Sequence, residues 1–199
     1  CGVVPIDARA CGADAILCSG YKWLRGTFGA SVGWLSPRVL AEATPALAGF
    51  RSRGRDMWEL DARRLDRPAM DAAAWEHGTL HFGAAAGLAA AIEELNAYPG
   101  GPEGVWAHSR GLCDALLAAS APLGLEPLLH DKARDEQQSA IVALRLPDGV
   151  DAAATARRLL DEHRLLVSCR AGMLRVSPHV DNSEADVRRL VGALEQILI

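Results

Sequence analysis

A lysine lies between an apolar segment and a glycine-rich segment in ILCSGYKWLRGTFGASVGW, residues 16–34. Of the 21 basic residues, 2 are lysine (Lys22 and Lys132) and the other 19 are arginine. A solvated surface cation in this chain is expected to be arginine, so Lys22 indicates chemistry that needs an amine. A neutral lysine amine is a nucleophile, and the apolar segment and Trp23 are sources of the desolvation that keeps it neutral.

Hydroxyl groups and glycines surround this lysine. Ser19 and Tyr21 precede it, and the glycine-rich segment 26–29 follows it. Hydroxyls and the backbone N–H groups of glycine-rich turns bind phosphate. A nucleophilic lysine beside a phosphate site suggests pyridoxal phosphate. The spacing alone leaves another interpretation open, a lysine at a strand end whose amine reaches solvent.

Two short strands and a helix are predicted around Lys22. The apolar run DAILCSG, residues 14–20, predicts a buried strand, and ASVGWLS, residues 30–36, predicts a second strand. Ser36 followed by Pro37 predicts the start of a helix, with the serine as its N-cap. The polar, arginine-rich segment 50–70 is expected to form a long surface segment or the rim of an active site.

Two helices are predicted next, on either side of the sequence YPGGP. The alanine-rich segment 81–101 has a strong helical pattern, and a second helix follows over 102–121. The glycines and proline between them are the best candidate for a domain boundary, which divides the chain into domains 1–100 and 101–199. The apolar face of the first helix is formed by Leu88, Ile92 and Leu95.

The second domain has the predicted order β-α-β-β-α, a compact two-layer α/β unit. Its first helix is predicted to begin at the N-cap Asp151, and its last helix at Asn182 or Ser183. The predicted elements are a strand over 139–147, a helix over 151–163, short strands in RLLVSCR and GMLRVSPH, and a helix over 182–199.

Composition excludes several classes of function. The net charge is −4 and the arginines are interleaved with acids, which argues against nucleic acid as a partner. No apolar run reaches the ~18 residues of a membrane span, and no signal peptide is apparent. The five cysteines are odd in number and lack the spacing of metal ligands, so we expect free thiols in the cytoplasm and no metal site.

Three motifs, in order along the chain, resemble the class V aminotransferase family. They are VPIDARACGADAILCSGYKWLRGTFGASVGWLS (4–36), WEHGTLHFGAAAGLAAAIEEL (75–95) and LRVSPHVDNSEADVRRLVGAL (174–194). The family comprises pyridoxal-phosphate enzymes of fold type I, among them cysteine desulfurases, selenocysteine lyases, kynureninases and isopenicillin N epimerase-like proteins. The resemblance implies an α/β fold, with the end of the large cofactor domain in 1–100 and the small C-terminal domain in 101–199.

The resemblance implies a role for each residue around the lysine. Lys22 would form the Schiff base with pyridoxal 5'-phosphate and act as the general base at the substrate Cα. Ser19 and Tyr21 would bind the cofactor phosphate. Tyr21 stands where many members of the family have histidine.

The other two motifs imply contacts from elsewhere in the fold. Gly78 and Thr79 would reach the phosphate in the partner subunit, which implies a homodimer with shared sites. Arg175 would hold the α-carboxylate of an amino-acid substrate through two parallel hydrogen bonds. Other roles stay open: Thr79 as a helix cap and Arg175 as an ion-pair residue at the rim. Asn182 is expected to cap a helix.

The resemblance also implies a missing segment. In the family, an aspartate that holds the pyridine nitrogen and a residue that stacks on the ring precede the VPID element. The sequence opens on CGVVPID, which looks like the middle of a longer chain. Three possibilities follow: an enzyme that lacks its N-terminal half here, an inactive remnant, or a subunit that needs a separate N-terminal half.

The reaction itself is predicted from the context of Cys169. Desulfurases of the family carry their nucleophilic cysteine on a loop, whereas Cys169 is six residues before Arg175 in VSCRAGMLRVS. We therefore expect a buried, inert thiol. The segment resembles the aminotransferase-like and epimerase-like branch. Desulfurase or selenocysteine lyase activity, and kynureninase-like activity, are the alternatives.

Overall fold

The computed structural model describes residues 1–52, 71–128 and 139–198. The chain divides into two compact units, Cys1–Ala97 and Tyr98–Ile199. Most of the arginine-rich segment 50–70 lies outside the described residues, so the prediction made for it stays a prediction.

The first unit contains the two predicted strands, the helix predicted after Ser36 and the alanine-rich helix predicted from residue 81. β1 and β2 pair in antiparallel fashion, from Ala15 opposite Leu35 to Ser19 opposite Ser31. The predicted N-cap is confirmed, because the Ser36 hydroxyl accepts a hydrogen bond from the Val39 N–H at 3.2 Å. The elements are β1 (Ala15–Ser19), β2 (Ser31–Leu35), α1 (Pro37–Glu42), a 3-10 helix (Ala72–Trp75) and α2 (Phe82–Asn96).

The prediction that the first strand is buried is wrong. No residue of β1 or β2 is buried, and the Leu17 side chain is 79% exposed. The apolar run does form a strand, but it pairs with one neighbour in the described part of the chain, and no described element covers Leu17. Burial of a strand requires further strands and a covering layer, which periodicity alone does not supply.

The second unit is built on a four-stranded antiparallel sheet with the strand order β3-β4-β6-β5. The short first strand, β3, was not predicted from the sequence. The elements are α3 (Gly101–Ser120), β3 (Glu126–Pro127), β4 (Val142–Arg145), α4 (Ala152–His163), β5 (Ser168–Arg170), β6 (Met173–Val176) and α5 (Glu184–Leu198).

One face of this sheet forms a closed core with the helices. Val142 and Leu144 of β4 are 0% exposed, and Leu174 of β6 is 1% exposed. Leu159 of α4 and Leu194 of α5 pack in the same cluster and are likewise buried. Cys113 of α3 also lies there, and burial raises the pKa of its thiol to about 11, so it is an inert packing residue.

The caps of the second unit confirm one prediction and correct another. Asp151 caps α4 by accepting a hydrogen bond from the Ala153 N–H at 2.8 Å. Asn182 is not a helix cap, because its Oδ1 accepts from the His179 N–H at 3.0 Å and closes a turn that precedes α5. Ser183 is next to the helix, and its hydroxyl donates to the Asp186 carboxylate, which lowers the pKa of that group.

The described residues hold neither a membrane-spanning helix nor a cluster of metal ligands. No described helix is long and apolar enough to cross a bilayer. No group of three or more His, Cys, Asp and Glu side chains converges within these ranges. All five cysteines are free thiols, and Cys1 and Cys11 are exposed.

Candidate functional site

Lys22 lies in a turn between β1 and β2 that is closed by backbone hydrogen bonds. The Gly20 N–H donates to the Ala30 carbonyl at 3.0 Å, and the Gly26 N–H donates to the Gly20 carbonyl at 2.9 Å. Inside this loop the Arg25 N–H donates to the Lys22 carbonyl at 2.9 Å. The backbone of the lysine is therefore held at the end of β1.

Helix α2 supports this turn through close contact with two glycines. A Cβ on Gly20 would lie 2.8 Å from Leu88 Cδ2, and one on Gly26 would lie 2.8 Å from Leu88 Cδ1. A Cβ at either position would force Leu88 to shift, and one on Gly20 would also lie 2.7 Å from the backbone carbonyl oxygen of Ala30, so the packing requires glycine at position 20. An ion pair of 3.1 Å between Arg25 and Glu94 joins the turn to α2 a second time.

The reactive groups of the turn point outward. Ser19 is half-buried, whereas Tyr21 and Lys22 are exposed. The Lys22 Nζ lies 5.5 Å from the centre of the Tyr21 ring, and that ring stacks on Phe28. The desolvation that the sequence predicted for Lys22 is therefore not supplied by the described residues, because Trp23 and the apolar strand leave its side chain exposed.

The second predicted phosphate-binding segment comes directly before α2. Gly78 and Thr79 are exposed. The N-cap of α2 is His81, whose Nδ1 accepts a hydrogen bond from the Ala84 N–H at 3.1 Å. The alternative role of Thr79 as the cap of this helix is therefore wrong.

The fold brings these two segments of the first unit together. A Cβ on Gly29 would lie 3.4 Å from the His81 ring, and one on Gly87 would lie 3.5 Å from the Thr27 side chain. The glycine-rich turn thus contacts the start of α2, two residues after Thr79. The same turn carries the Lys22 amine and the hydroxyls of Tyr21 and Thr27, and groups of these types fit a phosphate-bearing aldehyde cofactor.

Arg175 lies in the second unit, on the face of the sheet opposite to the core. Its neighbour Leu174 points into the core, and the alternation of a strand turns Arg175 the other way. Arg175 as a whole is half-buried, and its Nε donates to the Ser168 hydroxyl at 3.1 Å. No carboxylate among the described residues forms an ion pair with Arg175. The alternative role of Arg175 as an ion-pair residue at the rim therefore has no support in the described residues.

Cys169 lies in β5, opposite Leu174 of β6. It is half-buried and packs against the core cluster, so the expectation of a buried thiol is only partly met. The two strands are joined by a two-residue turn, Ala171 and Gly172, both at positive φ. A turn of this length leaves no loop to carry Cys169 away from the sheet.

Sequence reasoning missed two residues near these segments. Phe28 stacks on Tyr21 although the two residues are seven positions apart. The His108 Nε2 lies 3.0 Å from the Asn182 carbonyl oxygen, a contact between residues 74 positions apart. An aromatic residue inside a glycine-rich turn was a usable signal for Phe28, whereas no local pattern marks His108.

Comparison with known proteins gives a family and a fold. A family model described as aminotransferase class-V matches residues 1–190. The chain resembles the apo cysteine desulfurase from Thermococcus onnurineus NA1, with 21% identity and a TM-score of 0.82, over 99% of this chain and 50% of that one. It also resembles alanine–glyoxylate aminotransferase from Nostoc sp., with 25% identity and a TM-score of 0.73, over 100% and 51%.

A third solved structure contains a cofactor. It is a mutant of C-DES with glycine covalently linked to the PLP cofactor, with 20% identity, a TM-score of 0.77, and coverage of 97% of this chain and 48% of that one. The chain therefore spans about half the length of these proteins, and the predicted α/β fold class is confirmed for that half. No curated protein matches the chain.

Proposed function

The chain belongs to the class-V aminotransferase family, and from this premise we propose that it is the lysine-bearing part of a pyridoxal-phosphate enzyme acting on an amino-acid substrate. The observation that supports the proposal is the packing of α2 against the glycines of the turn, which fixes the backbone that carries the Lys22 amine and the Tyr21 hydroxyl. When bound, pyridoxal phosphate supplies an aldehyde for an amine and a ring that accepts electrons from the substrate Cα.

The residues of the first unit would hold the cofactor and move a proton. Lys22 would bind it covalently through Nζ and then carry a proton to or from the substrate Cα. The hydroxyls of Ser19 and Tyr21 would donate hydrogen bonds to the phosphate. Gly78 and Thr79, exposed at the start of α2, would meet the phosphate bound by a second copy of the chain, so the enzyme would be a homodimer.

Arg175 would bind the carboxylate of the substrate. The residue is half-buried, and its guanidinium donates a hydrogen bond to one neutral hydroxyl through Nε. The bond to Ser168 orients the plane of the group and does not use the two Nη atoms. A planar fork of N–H donors matches a carboxylate, which is why the proposed substrate is an amino acid.

Among the reactions of the family, the proposal is an aminotransferase-like or epimerase-like activity. A desulfurase or selenocysteine lyase needs a cysteine that reaches the substrate, and the only cysteine near Arg175 in the sequence is Cys169. This thiol is held in a strand, half-buried against the core, beside a two-residue turn. Kynureninase-like activity has no comparable observation in its favour.

The activity is proposed for a complete fold, since the chain spans about half of the solved structures that it resembles. The β1–β2 sheet leaves Leu17 79% exposed, as expected of a surface that further protein covers. The remaining half would cover the Lys22 turn and supply its desolvation. An inactive remnant is the competing hypothesis, and it predicts no cofactor binding under any condition.

Covalent labelling tests the role of Lys22. The chain, alone and together with the remaining half of the enzyme, is incubated with pyridoxal phosphate, reduced with borohydride and mapped by peptide mass spectrometry. The label should be found on Lys22, and Lys22→Arg should remove it while the control Lys132→Arg should retain it. A label confined to Lys132 would show that the proposed attachment is wrong.

A further inference from the structure

Phe28 is an exposed aromatic side chain with a defined partner. It is 77% exposed, yet its ring centre lies 4.4 Å from that of Tyr21, with 22° between the ring planes. This is a stacked pair at the short end of the range for aromatic contacts. Phe28 does not contribute to the buried core of its unit, so the stack on Tyr21 is the contact that its large side chain makes in the turn.

The backbone of the turn imposes this pairing. The bonds from Gly20 to Ala30 and from Gly26 to Gly20 bring residue 28 back beside residue 21. Gly29 has a φ of +96°, a conformation that glycine adopts without strain. Because α2 packs on Gly20 and Gly26, the two rings are attached to a backbone that is fixed on both sides.

The stack continues to the lysine. Lys22 Nζ lies 5.5 Å from the Tyr21 ring centre, so the ring is a surface beside which the amine is held. Phe28, Tyr21 and Lys22 are therefore arranged in series, with Tyr21 in the middle. Without Phe28 the exposed Tyr21 ring would regain rotamer freedom, and the amine would lose its fixed surface.

We infer that Phe28 is a positioning residue that holds the Tyr21 ring by stacking and thereby directs the Lys22 amine. The inference rests on the proposed attachment of the cofactor at Lys22, and it adds a residue that none of the motifs assigned. It also separates two functions of Tyr21. The hydroxyl would serve the phosphate, while the ring would serve the amine.

Two aldehydes distinguish these functions, pyridoxal phosphate and pyridoxal, which has no phosphate. The rate of borohydride-trapped labelling of Lys22 is measured for both, relative to Lys132 in the same molecules. Phe28→Ala should slow labelling by both aldehydes about three- to tenfold, the effect of losing an aromatic pair. Phe28→Tyr, which keeps a stacking ring, should restore the parent rate. Tyr21→Phe should slow labelling by pyridoxal phosphate alone.

The control is Leu166→Ala, which truncates an apolar side chain that is 83% exposed in the other unit, and it should leave both rates unchanged. If Lys22 is labelled normally in Phe28→Ala, the inference fails while the proposed function stands. Stacking does not direct the amine if Phe28→Ala slows labelling by pyridoxal phosphate but not by pyridoxal. The same follows if Phe28→Tyr is labelled as slowly as Phe28→Ala. If the parent protein is not labelled at Lys22, both the proposed function and the inference fail.

Discussion

The two sheets of this protein have similar local sequences and different surroundings. β1 and β2 form a two-stranded sheet in which no residue is buried, and Leu17 is 79% exposed. The other sheet has four strands, and its inward residues Val142, Leu144 and Leu174 are 0–1% exposed. Both regions contain short apolar strands, so the difference lies in what covers them.

This difference bears on the proposed chemistry. A two-stranded sheet is marginally stable by itself, and its open edges invite further strands. The candidate lysine follows β1 of the two-stranded sheet, whereas Arg175 lies in β6 of the four-stranded sheet. The proposed cofactor lysine therefore lies beside an exposed sheet and is supported by contacts with α2, whereas the proposed carboxylate-binding arginine lies on a sheet that is packed on a closed core.

The largest expected effect is on the stability of the four-stranded sheet. Leu144→Ala removes a fully buried side chain and should lower the free energy of opening of β4 and β6 by about 2–5 kcal/mol. The Leu17 side chain is 79% exposed, so Leu17→Ala should change the free energy of opening of β1 by less than about 0.5 kcal/mol. Hydrogen exchange of the strand amides measures both. Equal losses would contradict the contrast between the sheets.

A substitution at Arg175 tests whether the four-stranded sheet carries the group that binds the substrate carboxylate. In the complete enzyme, Arg175→Lys should raise the KM for the amino-acid substrate by an amount equivalent to about 2–3 kcal/mol, since a point charge cannot make two parallel hydrogen bonds. The cofactor absorbance should not change. Arg145→Lys is a matched control on the exposed end of β4, and its KM should equal that of the parent. An unchanged KM in Arg175→Lys would indicate a structural arginine.

The helix caps give a smaller and more local comparison. Asp151→Ala should cost about 1 kcal/mol, because α4 packs its buried Leu159 into the core and needs its first turn. Ser36→Ala removes a cap of the same kind from α1, a six-residue helix without buried residues. Its effect on the free energy of unfolding should be below detection by urea denaturation. A larger loss for Ser36→Ala would mean that α1 supports the first unit.

The smallest effect is expected at Cys169. Since its thiol is held against the core beside a two-residue turn, Cys169→Ala should leave turnover of the complete enzyme within a few-fold of the parent. Steady-state kinetics with the amino-acid substrate measures this. A loss of about 100-fold, or about 2.7 kcal/mol in transition-state stabilisation, would favour a desulfurase instead.

Local features of the fold were predictable where the signal was local. Ser36 and Asp151 were identified as caps because a capping residue acts on backbone groups within its own turn. The expected cap Asn182 and the alternative cap Thr79 were wrong, because a neighbouring residue lies closer to each helix end; the predicted phosphate contact of Thr79 stays a prediction. Ser183 lies next to α5, and His81 caps α2 with its imidazole.

By itself the sequence determined the family, most of the helices and strands, and the candidate groups Ser19, Tyr21 and Lys22, since these depend on residue type and spacing. Only the tertiary structure decided that Phe28 stacks on Tyr21, that Leu88 packs on two glycines of the turn, and that β1 remains exposed. The reason is physical. Periodicity shows which side of a strand is apolar, but burial, stacking and desolvation depend on atoms brought from elsewhere in the fold, or from protein outside this chain.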